Sequence, residues 1–134
     1  MGIRQLPPVA VTIGFIDAIN RGDIEALARM MTTDHRLVVF DEEPVVGRTD
    51  NLEGWRGYLA AFPEYVIHPH RIGQREGWVG VVGHTTGSHL ALPDDEEAAM
   101  TMMWLAHAAG GLIDVWQLVP DTDDNRARFG IDAW

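Results

Sequence analysis

The sequence predicts an α+β domain in which three N-terminal helices feed a strongly curved, mostly antiparallel sheet. Two observations carry that prediction. Phe15 to Asp41 reads as two short helices broken at Arg21-Gly22-Asp23 and followed by a strand. The second half alternates apolar runs with glycine turns, which is the pattern of antiparallel strands. The length, 134 residues, suits one domain with one substantial core. Residues 1–7 and 121–134 read as peripheral tails, with Asp121 to Arg128 solvated or mobile.

Each element has a local reason. Pro7-Pro8 can open a helix, since proline suits the first turn. Val11, Phe15, Ala18 and Ile19 then recur on one face. Gly22 stops the helix and Asp23 is a good N-cap for the next, with Glu25 in its dipole-favoured first turn. Ile24, Leu27, Met30 and Met31 form the apolar stripe of that second helix. Arg36 to Phe40 reads as a strand, Glu42-Glu43-Pro44 as a turn, and Val45-Val46 as a short extended piece. A third helix is expected from Asp50, with Asp50 and Glu53 at capping-box spacing and Pro63 ending it. Its stripe is Leu52, Trp55, Tyr58, Leu59 and Phe62, while Gly54 and Gly57 each cost about 1 kcal/mol relative to alanine. Tyr65–Ile72, Trp78–His89, Ala99–His107 and Leu112–Val119 read as strands, with hairpin turns at Gly77 and Gly110-Gly111. Leu92 to Glu97 reads as an acidic loop.

Composition excludes several functions. A formal net charge of −10 argues against nucleic acid and anionic membranes, which are held by clustered Lys and Arg. No apolar run is long enough to span a bilayer, and the N-terminus does not resemble a signal peptide. The absence of cysteine removes disulfides, thiolate nucleophiles and cysteine zinc sites, consistent with a cytoplasmic protein. With no lysine there is no phosphate-binding Gly-x-x-x-x-Gly-Lys loop. Ser88, the one serine, lies in Gly87-Ser88-His89, which lacks a nucleophile elbow.

Asn20-Arg21-Gly22-Asp23 followed by Ile-Glu-Ala-Leu resembles the helix–helix junction of the SnoaL-like polyketide cyclases, within the nuclear-transport-factor-like superfamily. Thr33-Asp34, Gly47-Arg48, Phe62-Pro63-Glu64, Gly87-Ser88-His89 and Gly111-Leu112-Ile113 with Trp116 follow the same family pattern in order. The resemblance covers most of Phe15 to Asp121. It implies a cone-shaped fold enclosing an apolar pocket, a homodimer, and chemistry resting on an acid or histidine inside the cone. Relatives include cyclases, isomerases, dehydratases, epoxide hydrolases and non-enzymes, so the fold does not name a reaction. Many relatives carry an aspartate directly after the closing-strand tryptophan. Here that position is Gln117, and counting from the glycine instead gives Leu118.

The one acid of the closing strand is Asp114, which regular alternation places on the face of Trp116 and Leu118. Facing the pocket, it would be a desolvated carboxylate with a raised pKa, suited to acid/base work; at the strand's open end it would face solvent. His107 and His84 are its candidate partners, His107 as a cavity base or a rim residue. His68 and His70 share a face, but no third metal ligand is evident, and they read as half-exposed strand residues. His89 reads as structural and His35 as a helix-end cap. Phe15, Met31, Trp55, Tyr58, Trp104 and Trp116 are the candidate pocket walls. Met100, Met102 and Trp104 alternate with Thr101, Met103, Leu105 and His107, so both faces of that strand are largely apolar. Helices cover only one, which suggests a subunit interface on the other.

The expectation is a cofactor-independent enzyme, needing no metal, that applies general acid/base chemistry to a small hydrophobic molecule. Aldol-type cyclisation, isomerisation, dehydration and epoxide opening are the candidate reactions. A non-catalytic small-ligand-binding or accessory dimer is the second reading, favoured by Gln117 in place of the acid. A purely structural dimerisation module, with a filled pocket, is the third.

Overall fold

The structure, a computed structural model, describes residues 6–131. Helix α1 (Pro8–Arg21) begins with proline at its first turn and ends at Gly22, whose φ of 65° is left-handed. Helix α2 (Ile24–Met30) starts at Asp23, whose carboxylate accepts from the Ala26 N–H at 3.0 Å. Strand β1 (Met31–Val39) follows directly and pairs with the two-residue β2 (Val45–Val46). Helix α3 (Arg48–Ala61) leads to β3 (Val66–Arg75) and β4 (Trp78–Thr86). A short helix α4 (Asp94–Ala98) precedes β5 (Met102–Ala109) and β6 (Leu112–Val119), and α5 (Asp123–Arg128) closes the described chain.

The six strands form one open sheet in the order β2-β1-β6-β5-β4-β3. All neighbours are antiparallel except β1 and β6, which run parallel. Left-handed pairs at Glu76-Gly77 and Gly110-Gly111 make the two tight hairpins anticipated at those glycines. One sheet face carries α1, α2 and α3. Its core joins Phe15, Ile19 and Leu27 to Val79, Val81, Trp104, Ala106, Ile113 and Trp116. Asn20, at the end of α1, grips edge strand β3 through both amide ends: it donates to the Ile67 carbonyl at 2.9 Å and accepts from the Ile67 N–H at 2.8 Å. That side chain substitutes for a neighbouring strand at the sheet edge.

The other face corrects the sequence reading of the C-terminus. Residues 121–131 are no solvated tail, while 1–5 and 132–134 lie outside the described residues. Arg126 and Asp121, both nearly buried, form a two-pronged ion pair at 2.6 and 2.7 Å, and Thr101 donates to the same carboxylate. This pair anchors α5 and lays Phe129 and Ile131 over Val82, Met103 and Leu105 as a second core. The sheet is hollowed to receive them. Gly73 and Gly80 face each other across β3 and β4. A Cβ on Gly73 would come within 2.0 Å of the Phe129 carbonyl, and one on Gly80 within 2.9 Å of the Phe129 ring. The chain itself therefore covers much of the outer face, which ceases to be a reason for invoking a second copy there.

Smaller boundaries also move. Strand β1 opens at Met31 rather than Arg36, so Met31 leaves the α2 stripe; the β-branched Thr32 and Thr33 favour extension. Helix α3 begins at Arg48 after Gly47, without a side-chain cap, so Asp50 and Glu53 form no capping box. Strand β4 ends at Thr86 and β5 begins at Met102. The acidic stretch includes α4 because Glu97 turns inward and is buried. Among the described residues no helix is long and apolar enough to cross a membrane.

Replacing Phe129 with alanine should cost about 3 kcal/mol, the range for truncating a buried aromatic. Urea unfolding would measure it, and a loss below about 1 kcal/mol would show that the segment does not seal the outer face.

Candidate functional site

A cavity of about 250 Å³ opens between α3 and the centre of the sheet. Leu37, Val39 and Val45 from β1 and β2, Trp104 from β5, and Trp116 and Leu118 from β6 form its floor. Helix α3 supplies the wall through Asp50, Asn51, Gly54, Trp55 and Tyr58, all on one stripe at helical spacing. Tyr65 and His89 complete the rim.

Asn51 fixes this wall. It is the one fully buried residue of α3, and its amide nitrogen lies 2.9–3.0 Å from the carbonyls of His35, Val45 and Gly47. Three acceptors around one nitrogen set the amide's orientation. Asn51 thus ties the start of α3 to the β1–β2 hairpin. Beneath the floor, Phe15 stands 4.8 Å from Trp116 and 5.8 Å from His35, all three fully buried. His35 Nδ1 donates to the Ile113 carbonyl at 2.7 Å, which fixes the tautomer, and burial pushes its pKa below the ordinary value.

The convergent polar groups sit at the mouth. Tyr58 Oη lies 2.8 Å from His89 Nδ1 and accepts from the His89 backbone N–H at 3.2 Å. His89 owes its position to a loop held from inside the protein. Gly87 turns with φ 69° where a Cβ would strike the Glu64 carbonyl at 2.3 Å. The buried Glu97 carboxylate accepts from Thr85 Oγ1 and, at 3.4 Å, from the Ser88 N–H. Burial raises the pKa of Tyr58 and, more strongly, of Tyr65, so both phenols stay protonated.

A family model for the SnoaL-like domain matches residues 13–116, well over half of the chain. The chain belongs to the SnoaL-like domain family. Solved SnoaL-like and related structures share its architecture. A candidate polyketide cyclase from Sinorhizobium meliloti is 21% identical with a TM-score of 0.68, over 85% of this chain and 95% of that one. IdmH, a candidate polyketide cyclase from Streptomyces antibioticus, is 21% identical with a TM-score of 0.66, over 92% and 99%. An LEH-like epoxide hydrolase from M. tuberculosis is 12% identical with a TM-score of 0.67, over 85% and 82%. No curated protein matches the sequence. At these identities the likeness speaks for the fold.

The candidate residues of this SnoaL-like chain separate into three places. Trp55, Tyr58, Trp104 and Trp116 line the cavity, whereas Phe15 and Met31 are core beneath it. Asp114 and His107 do meet, His107 Nδ1 donating to Asp114 Oδ1 at 2.6 Å, but outside this pocket. The register of β5 and β6 shifts so that Asp114 has no partner between Ile113 and Val115. This bulge keeps Ile113 and Trp116 in the inner core and turns Asp114 toward His107. His107 alternates with Met103 and Leu105 of the outer core and packs against Trp78 at 4.9 Å with the two rings tilted by 55°. His84 also faces away from the pocket, 2.7 Å from His70 and stacked on His68 at 4.5 Å. No group of three metal-binding side chains converges among the described residues.

Sequence reading missed His89, Tyr65 and Asp50 as pocket residues. The spacing Asp50, Gly54, Tyr58 carries a signal, one turn apart twice over, which the capping-box spacing of Asp50 and Glu53 masks. His35 is no cap either; it lies buried in β1.

Two outcomes follow from this geometry. His35 is held neutral, so the unfolded chain takes up a proton first as pH falls below about 6.5. Stability should be complete above that pH and decline as pH falls toward the depressed folded value. His84, lowered by burial and by His68 and His70, adds with the same sign. Asp23 and Asp121 are both lowered and titrate below this window. Melting temperature should therefore fall between about pH 7.5 and about pH 5.5, less so in His35→Asn; an unchanged difference in that variant would contradict the linkage. Separately, a Cβ at Gly54 meets nothing within 4 Å. Gly54→Ala should stabilise by about 0.5–1 kcal/mol in urea, while Gly54→Leu should weaken 1-naphthol binding by about tenfold through occlusion.

Proposed function

We propose that this SnoaL-like protein is a cofactor-independent enzyme that moves protons on a small hydrophobic carbonyl compound, as an isomerase or aldol-type cyclase does. The observation that carries the reading is the Tyr58–His89 contact at 2.8 Å on the rim of a largely apolar pocket. A phenol and an imidazole in contact can hold their shared proton in two ways. When Tyr58 donates to Nδ1, the outward Nε2–H is a donor. When Nδ1 donates to the phenol oxygen, Nε2 is a base and the Tyr58 O–H is free to donate. The second arrangement places a base for the α-proton beside an acid for the developing enolate oxygen. Tyr65, kept protonated by burial, is a second donor on the same rim.

The expected acid and base thus move from Asp114, His107 and His84 to Tyr58 and His89. The named cyclases and the epoxide hydrolase among similar structures are compatible with cofactor-free chemistry in such a pocket. A non-catalytic ligand-binding role is the second reading. It is favoured by the floor, where Leu37, Val39, Trp104, Trp116 and Leu118 offer no carboxylate or histidine.

Solvent-deuterium exchange at the α-carbon of 2-tetralone, followed by proton NMR, tests the proposal. The protein should accelerate exchange over buffer, and Tyr58→Phe and His89→Ala should each lose about 100-fold of that acceleration. Binding of the ketone without acceleration would replace the enzyme by the binding reading.

A further inference from the structure

We infer that the compact apolar ligand of this pocket carries an amine, bound as its ammonium ion (an amino ketone where the carbonyl chemistry above holds), with the charge at Asp50 and the apolar body against the indoles of Trp55, Trp104 and Trp116. The inference rests on the pocket being the ligand site, as above, but not on Tyr58 and His89 acting as acid and base.

Charge is the first ground. Asp50 carries the one carboxylate among the pocket-lining residues, and no arginine lines the cavity. Its carboxylate makes no hydrogen bond or ion pair among the described residues and is exposed at the mouth. The chain as a whole bears a formal charge of −10. A carboxylate or phosphate ligand would meet Asp50 with no counter-charge, whereas an ammonium would pair with it.

Shape and wall chemistry supply the second ground. Five of the lining residues are tryptophan or tyrosine, whose ring faces attract cations. The Tyr58 ring stands at 86° to both Trp55 and Tyr65, so the rim presents faces in more than one direction. Asp50 and Tyr58 lie two turns apart on α3, roughly 12 Å along the axis. Gly54 between them leaves a gap, since a Cβ there would have no neighbour within 4 Å. The cavity of about 250 Å³ limits the body to a compact one. The dipole of α3 would favour an acid in its first turn, but it does not choose the face on which that acid stands.

Three isosteres decide the matter by isothermal titration calorimetry near neutral pH: 1-aminoadamantane, 1-adamantanol and adamantane-1-carboxylate. The amine should bind about tenfold tighter than the alcohol, and the carboxylate at least about tenfold weaker than the alcohol. Asp50→Asn should erase the gap between amine and alcohol while leaving alcohol affinity within about twofold; Glu53→Gln, on the same helix but outside the pocket, should leave the gap intact. The inference is overturned if the alcohol binds as tightly as the amine, if the carboxylate binds best, if none of the three binds, or if the gap survives Asp50→Asn. Ketone exchange and amine preference, both read on the unmodified protein, keep the two readings separate: exchange without an amine preference overturns this inference alone, and an amine preference without exchange overturns the acid/base reading alone.

Discussion

One extra residue in β6 decides what the pocket contains. A regular strand would place Asp114, Trp116 and Leu118 together, putting a carboxylate beside an indole inside the pocket. The bulge between Ile113 and Val115 breaks that alternation. Trp116 stays inside, packed on Phe15 at 4.8 Å, and Asp114 leaves for His107 on the other side. The hydrophobic term favours this outcome. Burying Trp116 and Ile113 together gains several kcal/mol of apolar transfer, while an aspartate on the inner face would lose hydration without a partner. His107 gives the displaced carboxylate a charge-assisted partner at partial exposure, 30% and 29% for the two side chains.

The same economy shapes the outer face. Strands β4 and β5 are apolar on both sides, so two covers are needed. The helices provide one. The other comes from Phe129 and Ile131, seated where Gly73 and Gly80 leave the sheet bare. Arg126 and Asp121 hold that segment through a paired fork, with both side chains nearly buried, and the guanidinium keeps the Asp121 carboxyl below its usual range. Such a pair fixes a single docking geometry more than it adds net stability, because its desolvation offsets much of its attraction.

The legible parts of the fold were those governed by local rules. The α1–α2 break at Gly22-Asp23 and the glycine hairpins follow from backbone preference and capping, and they stand where the sequence placed them. The aromatic stripe of α3 also delivered Trp55 and Tyr58 to the pocket. Long-range compensation was illegible. Alternation cannot reveal a bulge, so Asp114 was aimed at the wrong face. Glu97, in an acidic run, looks like any solvated residue until Thr85 and Ser88 appear beside it. Arg126 and Asp121, five apart in a charged tail, gave no hint that Phe129 had a seat across the sheet.

The polar chemistry of the site sits on its most lightly packed parts. Helix α3 buries one residue fully, Asn51, and carries two glycines in its interior. Its position rests on a polar pin to the β1–β2 hairpin as well as on half-buried apolar contacts from Leu52, Trp55, Tyr58, Leu59 and Phe62. His89 stands on a loop held by one buried carboxylate and by the close turn at Gly87. The floor is the reverse, with Trp104 and Trp116 locked in the main core. The apolar floor is thus part of the core, whereas Tyr58 Oη and His89 Nδ1 meet at 2.8 Å from two separate elements, so the polar contact of the rim depends on how the helix and the loop are each held.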